Sequence, residues 1–160
     1  MYCFQDFDSN STNTKGKIVG FFFRLASLAN KNKLFKILLY PYLIFYKFMF
    51  EWVFGFEVPY NTKIGRGLKV YHLQSIVIHK HVVIGENFSI RQNVTIGNSS
   101  KGGQCPVLGN NIEIGANACI IGPINIGNNV IIGAGAVVVK NIPENSVVVG
   151  NPARILQKKI

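Results

Sequence analysis

IHKHVVIGENFSIRQNVTIGN (Ile78 to Asn98) and LGNNIEIGANACIIGPINIGNNVIIGAGAVV (Leu108 to Val138) carry an aliphatic residue at every sixth position. These are Ile78, Ile84, Ile90 and Ile96, then Leu108, Ile114, Ile120, Ile126, Ile132 and Val138, and only Gly102 breaks the series. Glycine often follows the aliphatic residue, as Gly85, Gly97, Gly109, Gly115, Gly127 and Gly133. Four positions after the aliphatic residue comes a second apolar or small one: Val82, Phe88, Val94, Ile112, Ala118, Ile124, Val130, Ala136 and Ile142. Neither the helical period nor strand alternation produces a repeat of six. Glycine and β-branched residues would both penalise a helix of this length.

A short fixed repeat with glycine at a corner is what a parallel β-helix requires, each unit being a brief strand that ends in a tight turn. One unit cannot bury its inward aliphatic residue alone, so units must stack. The expected fold is therefore all-β, over residues 57–160. The corner glycines are expected to supply backbone angles that other residues resist, and the nearby Asn87, Asn110, Asn111, Asn128 and Asn129 also tolerate turns. Earlier in the chain the repeat runs in another frame, Ile64, Val70 and Ile76, and shifts by two at Ile78, just after His72. The coil that holds His72 is thus irregular. A second irregularity, NSSKGGQCP from Asn98 to Pro106, lacks inward aliphatics and reads as a loop, where function often resides.

Residues 1–17 are rich in Ser, Asn and Thr and read as a flexible start. Residues 18–56 read as an apolar helical segment: a helix from Ile18 to Asn30, then an aromatic stretch from Leu34 to Phe56. That stretch approaches the roughly 20 residues that span a bilayer. Lys36, Pro41, Lys47 and Glu51 disfavour a full span. Helices packed on the β-helix or on a neighbouring subunit, and an amphipathic helix in the membrane interface, are both favoured over that span.

The 160 residues carry 17 Lys and Arg against 7 Asp and Glu, a formal charge of +10. Such a balance suits an anionic partner, which includes a nucleotide-type cofactor, a polyanionic acceptor or a membrane face. Nucleic acid is not expected, because the basic residues are scattered and no binding motif appears. Cys3, Cys105 and Cys119 form no close pair, which predicts a reducing, cytoplasmic setting rather than a disulfide framework. Met1 to Thr14 is polar and does not resemble a secretory leader.

Three histidines narrow the search for a base. His72 lies 15 residues after Glu57, a little short of one coil, so stacking can bring a carboxylate beside the imidazole and raise the basicity of its free nitrogen. A solvated surface pair satisfies the same spacing. His79 and His81 share a strand face, yet two nitrogens do not complete a zinc site, and they read as solvated turn residues. No metal is expected. Cys105 is a possible nucleophile without a marked activator. Gly115-Ala116 and Gly133-Ala134 occupy matching corners, where exposed peptide groups can line a groove, with Lys140 and Arg154 following as phosphate partners.

IGRG at Ile64 to Gly67, His72, VTIG at Val94 to Gly97, IGAGAVV at Ile132 to Val138 and GNPARI at Gly150 to Ile155 resemble the hexapeptide-repeat acyltransferases. Within them the chain is similar to the serine acetyltransferase branch, and most similar to the colanic acid biosynthesis type of surface-polysaccharide enzymes. Val53 to Glu57 and IRQNVTIGN from Ile90 to Asn98 extend the likeness. The resemblance implies a left-handed parallel β-helix, a homotrimer or a hexamer, and active sites between subunits. It implies acetyl-CoA as co-substrate, direct transfer with His72 as catalytic base, and Glu57 in place of the aspartate that orients it. It also implies a coenzyme groove along Gly97, Ala116, Ala134, Lys140 and Arg154, and acceptor contacts from Tyr71, Gln92, Lys101 and Cys105.

Two departures bear on the acceptor. Tyr71 stands where the serine enzymes carry an aspartate, and Gln104-Cys105-Pro106 stands where they carry Arg-His-Pro. A neutral sugar hydroxyl does not need those charges. The expected function is O-acetylation of a capsular or exopolysaccharide sugar while its repeat unit is lipid-linked at the inner face of the cytoplasmic membrane. A serine O-acetyltransferase and a non-catalytic β-helix scaffold are the alternatives.

Overall fold

Three parallel sheets, visited in turn by each coil, make up most of the computed structural model, which describes residues 2–158. The first sheet stacks Phe56–Glu57, Ile76–Ile78, Thr95–Gly97, Cys119–Ile121 and Val137–Val138. The second stacks Lys63–Ile64, Val83–Ile84, Val107–Leu108 and Asn125–Ile126. The third stacks Lys69–Val70, Ser89–Ile90, Glu113–Ile114, Ile131–Ile132 and Ser146–Val149. The result is the left-handed parallel β-helix expected from the repeat. Arg154–Lys158 folds back antiparallel on Ser146–Val149 and closes the far end. Lys158 ends this strand, and Lys159 lies outside the described residues.

The register explains the core. Ile78 pairs with Ile96, Ile96 with Ile120, and Ile120 with Val138, so like residues stack directly above one another. No member of the two apolar series from Ile78 onward is more than 7 % exposed. Each Val, Leu, Ile or Phe among them contributes about 1.5–3 kcal/mol on burial.

The corner glycines have a different reason from the one expected. Left-handed backbone angles fall instead on asparagines: Asn87, Asn93, Asn111, Asn117, Asn129 and Asn145 have φ between 56° and 61°. Gly115 and Gly127 have no positive φ, but a Cβ there would lie 2.5 Å from the backbone nitrogen of Ala134 or Glu144 in the next coil. Glycine is required by close stacking, and asparagine by the turn. The asparagines also bond along the stack: Asn87 Nδ2 donates to Asn111 Oδ1, Asn111 to Asn129, and Asn129 to Asn145, at 2.8 to 2.9 Å.

Residues 2–17, expected to be a flexible start, hold local structure. Tyr2–Phe4 and Asp8–Asn10 form 3-10 turns, and helix α1 begins at Thr14, four residues before the expected Ile18, and runs to Ser27. The Asn13 side chain caps it by accepting from Gly16 N at 3.1 Å. Asp6 and Arg24 are 0 % and 2 % exposed and are paired, with Nε to Oδ2 at 2.8 Å. Asp6 Oδ1 accepts from the N–H groups of Gly67 and Leu68, and Arg24 Nη1 donates to Ile64 O. Asn10 and Asn13 donate to the carbonyls of Leu68 and Val70. The N-terminal segment thus satisfies the open edge of the first coil.

The aromatic stretch breaks at Leu39 into α2 (Lys33–Leu38) and α3 (Tyr40–Tyr46), with Pro41 in the first turn of α3. A π-helical piece, Lys47–Val53, follows. Among the described residues no helix is long and apolar enough to cross a membrane. Tyr46 Oη donates to Val58 O at 3.0 Å and Tyr42 Oη to Phe22 O at 2.8 Å, which tie α3 to the β-helix and to α1.

Arg24→Met leaves the Asp6 carboxylate buried without its cation, and should destabilise the chain by about 3–5 kcal/mol in chemical denaturation. Asp6→Leu added to it should recover only part of that loss, because Gly67 and Leu68 then lose their acceptor. An unchanged midpoint in Arg24→Met would show that the cap is not needed.

Candidate active site

Two irregularities in the coil register place the residues of interest. Three six-residue units make a regular step of 18 residues between successive coils, as Val77 to Thr95 and Cys119 to Val137. Val70 pairs with Ile90, a step of 20. Tyr71 N donates to Ile90 O, while Gln74 O accepts from Asn93 N, so the excess falls on His72 and Leu73. Leu73 packs against the core and His72 is exposed. The bulge therefore turns the imidazole outward at the corner between the third and first sheets.

That corner carries a groove of about 330 Å³, lined by Tyr71, Ser89, Arg91, Glu113, Gly115, Ala116, Ile131, Gly133 and Ala134 among others. Gly115 and Gly133 leave the peptide backbone open. The N–H groups of Ala116 and Ala134 have no partner among the described residues, whereas Gly115 N and Gly133 N donate to Ile132 O and Val148 O of the next coil. Gln92 occupies the same corner, and its Oε1 is buried with no donor among the described residues. A row of unspent donors along a narrow trough suits an extended ligand with carbonyl acceptors.

The second irregularity is a step of 24, as Val83 to Val107 and Thr95 to Cys119, which expels Asn98 to Pro106 as the expected loop. Its base is fixed by a contact that sequence reading missed. Cys105 Sγ lies 3.0 Å from His79 Nδ1, and the same nitrogen accepts from His81 N at 3.2 Å. A nitrogen that accepts from a backbone N–H carries no proton, so the thiol is the donor and the His79 proton sits on Nε2. Burial pushes the Cys105 thiol above its ordinary pKa, which keeps it neutral and unlike an activated nucleophile. The His79 and His81 rings meet edge to face at 5.1 Å, so His79 anchors the loop and is not a freely solvated turn residue. The separation of 26 residues between His79 and Cys105 gave no local signal.

The sequence-predicted residues therefore divide between two corners flanking the first sheet. Tyr71, His72, Gln92, Ala116 and Ala134 lie on one; Gly97, Lys101, Cys105 and Lys140 lie on the other. Glu57 lies on the first sheet between them, one coil above Val77. Neither Glu57 nor His72 makes a side-chain hydrogen bond among the described residues. Lys140 and Arg154 share a separate cavity of about 290 Å³ with Val138, Ile142, Pro152 and Ala153.

A left-handed β-helix of six-residue units places the chain among the hexapeptide-repeat proteins. No family model matches the chain. It is 38 % identical over 156 residues to the colanic acid biosynthesis acetyltransferase WcaB of Escherichia coli K12, covering 94 % of this chain and 96 % of that protein. It is 45 % identical over 108 residues to chloroplastic serine acetyltransferase 1 of Arabidopsis thaliana, which is 66 % of this chain but only 34 % of that protein. Serine acetyltransferase of Brucella abortus solved with coenzyme A superposes with a TM-score of 0.82 at 26 % identity, over 99 % of this chain and 68 % of that one. The chain belongs to the hexapeptide-repeat acetyltransferases of which WcaB is a member, and is an acyltransferase.

Cys105→Ala removes the loop's anchor to His79. Hydrogen exchange of residues 98–104 should then quicken while global stability falls by only about 1 kcal/mol. Exchange confined to its original rate would show that Gly97 and Pro106 hold the loop unaided.

Proposed function

We propose that this chain transfers the acetyl group of acetyl-CoA to a hydroxyl of a surface-polysaccharide sugar. The observation that carries the reading is the His72 bulge at the head of a groove whose Ala116 and Ala134 amides are unspent. Those amides would hold the carbonyl groups of the coenzyme's pantetheine arm, and Lys140 and Arg154, which share a separate cavity, would take its phosphates from a neighbouring subunit. The imidazole of His72 takes the proton as the acceptor oxygen attacks the thioester carbon; the C–S bond then breaks and the imidazolium returns the proton to the departing thiolate. Glu57 would orient His72 once the site is complete.

The split between two corners supports a homotrimer, in which one subunit's His72 corner faces a neighbour's Gly97, Lys101 and Cys105 corner. A sugar acceptor is favoured over serine by Tyr71, a neutral residue that offers no negative charge to an amino acid's ammonium group. Near-complete coverage of WcaB, against a third of the plant serine enzyme, supports the same preference.

His72→Ala should lower acetyl transfer by about 10²- to 10⁴-fold, measured as thiol release from acetyl-CoA with the host's surface glycan and with serine as separate acceptors. Useful turnover of serine would replace the sugar reading. Full activity in the variant would remove the base.

The acceptor is proposed to be presented at the inner face of the cytoplasmic membrane. Leu34, Ile37, Leu38, Tyr40, Ile44, Phe48 and Trp52 are 57 to 76 % exposed on α2, α3 and the π-helical piece. Lys33, Lys36 and Lys47 stand among them, as expected for an interfacial helix on anionic lipid. Wild type should float with anionic vesicles, weakly with neutral ones, and Leu34→Glu with Leu38→Glu should stay in the dense fraction. If the variant instead turns a hexamer into a trimer without altering flotation, the face is a subunit interface.

A further inference from the structure

Tyr71 does not stand alone beside His72. Its ring has Lys69 Nζ 4.7 Å and Arg91 Cζ 4.4 Å from its centroid. Lys69 is two residues back on the same run, and Arg91 occupies the equivalent place one coil on, since Tyr71 N donates to Ile90 O. Two cations thus share one neutral ring. Neither makes a side-chain hydrogen bond or ion pair among the described residues, where the pairs found are Asp6–Arg24 and Arg66–Glu86. Glu113 lines the same groove without bonding to either. Like charges held together with unspent donors are relieved by an anion, and a guanidinium fork suits a carboxylate or phosphate.

Resting on the proposed acetyl transfer, we propose that the acceptor is an anionic sugar whose carboxylate or phosphate is held by Lys69 and Arg91, with Tyr71 as the platform between them. The coenzyme does not supply this anion. Its pantetheine arm, which must lie nearest the thioester and His72, is uncharged, and its phosphates belong at the far end of the groove. The anion beside His72 is therefore the acceptor's own, and it sets the reacting hydroxyl at the imidazole. The net charge of +10 adds long-range attraction for such a substrate.

The test compares a neutral hexoside, its hexuronic acid counterpart and the hexose 1-phosphate, each with wild type and with the Lys69→Gln, Arg91→Gln double variant. With wild type, at least one anionic acceptor should exceed the neutral one by about tenfold or more in kcat/KM, and the preference should shrink as salt rises. In the double variant the preference should disappear while the KM for acetyl-CoA is kept. Preference for the hexuronic acid would identify a carboxylate, and preference for the 1-phosphate a phosphate-linked carrier. Equal use of neutral and anionic acceptors by wild type, or a raised KM for acetyl-CoA in the variant, would overturn the proposal. Acceptor binding without coenzyme, followed by ligand-observed NMR, separates this inference from the reaction itself. Selective binding of an anionic sugar without transfer would keep the anion site and sink the acetyl transfer, whereas no selective binding would sink the anion site.

Discussion

The buried Asp6–Arg24 pair solves the problem that a parallel β-helix creates for itself. Every coil hands its unpaired backbone groups to the next, and the first coil has no predecessor, so its edge would stand open to other chains. Here Asp6 accepts from Gly67 and Leu68, Arg24 donates to Ile64, and Asn10 and Asn13 take the carbonyls of Leu68 and Val70. Two buried charges are costly unless both are bonded in full. Here Arg24 donates four bonds and the Asp6 carboxylate accepts four, and the consequence is a fixed first coil. His72 lies in the step from that coil to the next, so the order of the proposed catalytic corner depends on a cap formed by residues 6–24.

Beyond that cap, regularity builds the scaffold and departures from regularity build the site. Stacked coils of 18 residues bury two apolar positions per unit and leave little that is chemically distinctive. Two excess residues push out His72 with its neighbour Leu73 packed against the core, and six excess residues push out the loop that holds Cys105. Each insertion is absorbed because the pairing resumes in register on either side. A rigid stack thereby holds irregular segments at defined heights, which positions groups better than a free loop would.

The repeat made the coil architecture legible, because a period of six has one simple packing solution and the inward residues are aliphatic almost without exception. The two breaks in period likewise marked His72 and the Cys105 loop. Other features were hidden for identifiable reasons. Asp6 and Arg24 sit in polar or helical surroundings and gain meaning only from partners some 40 to 60 residues away. The His79–Cys105 contact also spans distant coils. The glycines were visible but misread: the sequence pattern does not distinguish a residue needed for its backbone angle from one needed because the next coil lies against it.

The position of the predicted residues on two corners sets a limit on what one chain does. His72 and the Ala116–Ala134 groove lie on one side of the first sheet, while Gly97, Lys101 and Cys105 lie on the other, and the rigid core between them forbids the two sets to approach. If both sets serve one reaction, as we propose, the second must come from another copy. Symmetry supplies it without further sequence, since in a ring each corner of one kind meets the other kind on its neighbour. On that arrangement the loop carrying Lys101 and Cys105 and the cationic platform at Tyr71 form opposite walls of one cleft, and acceptor choice is a property of the assembled ring rather than of the single β-helix.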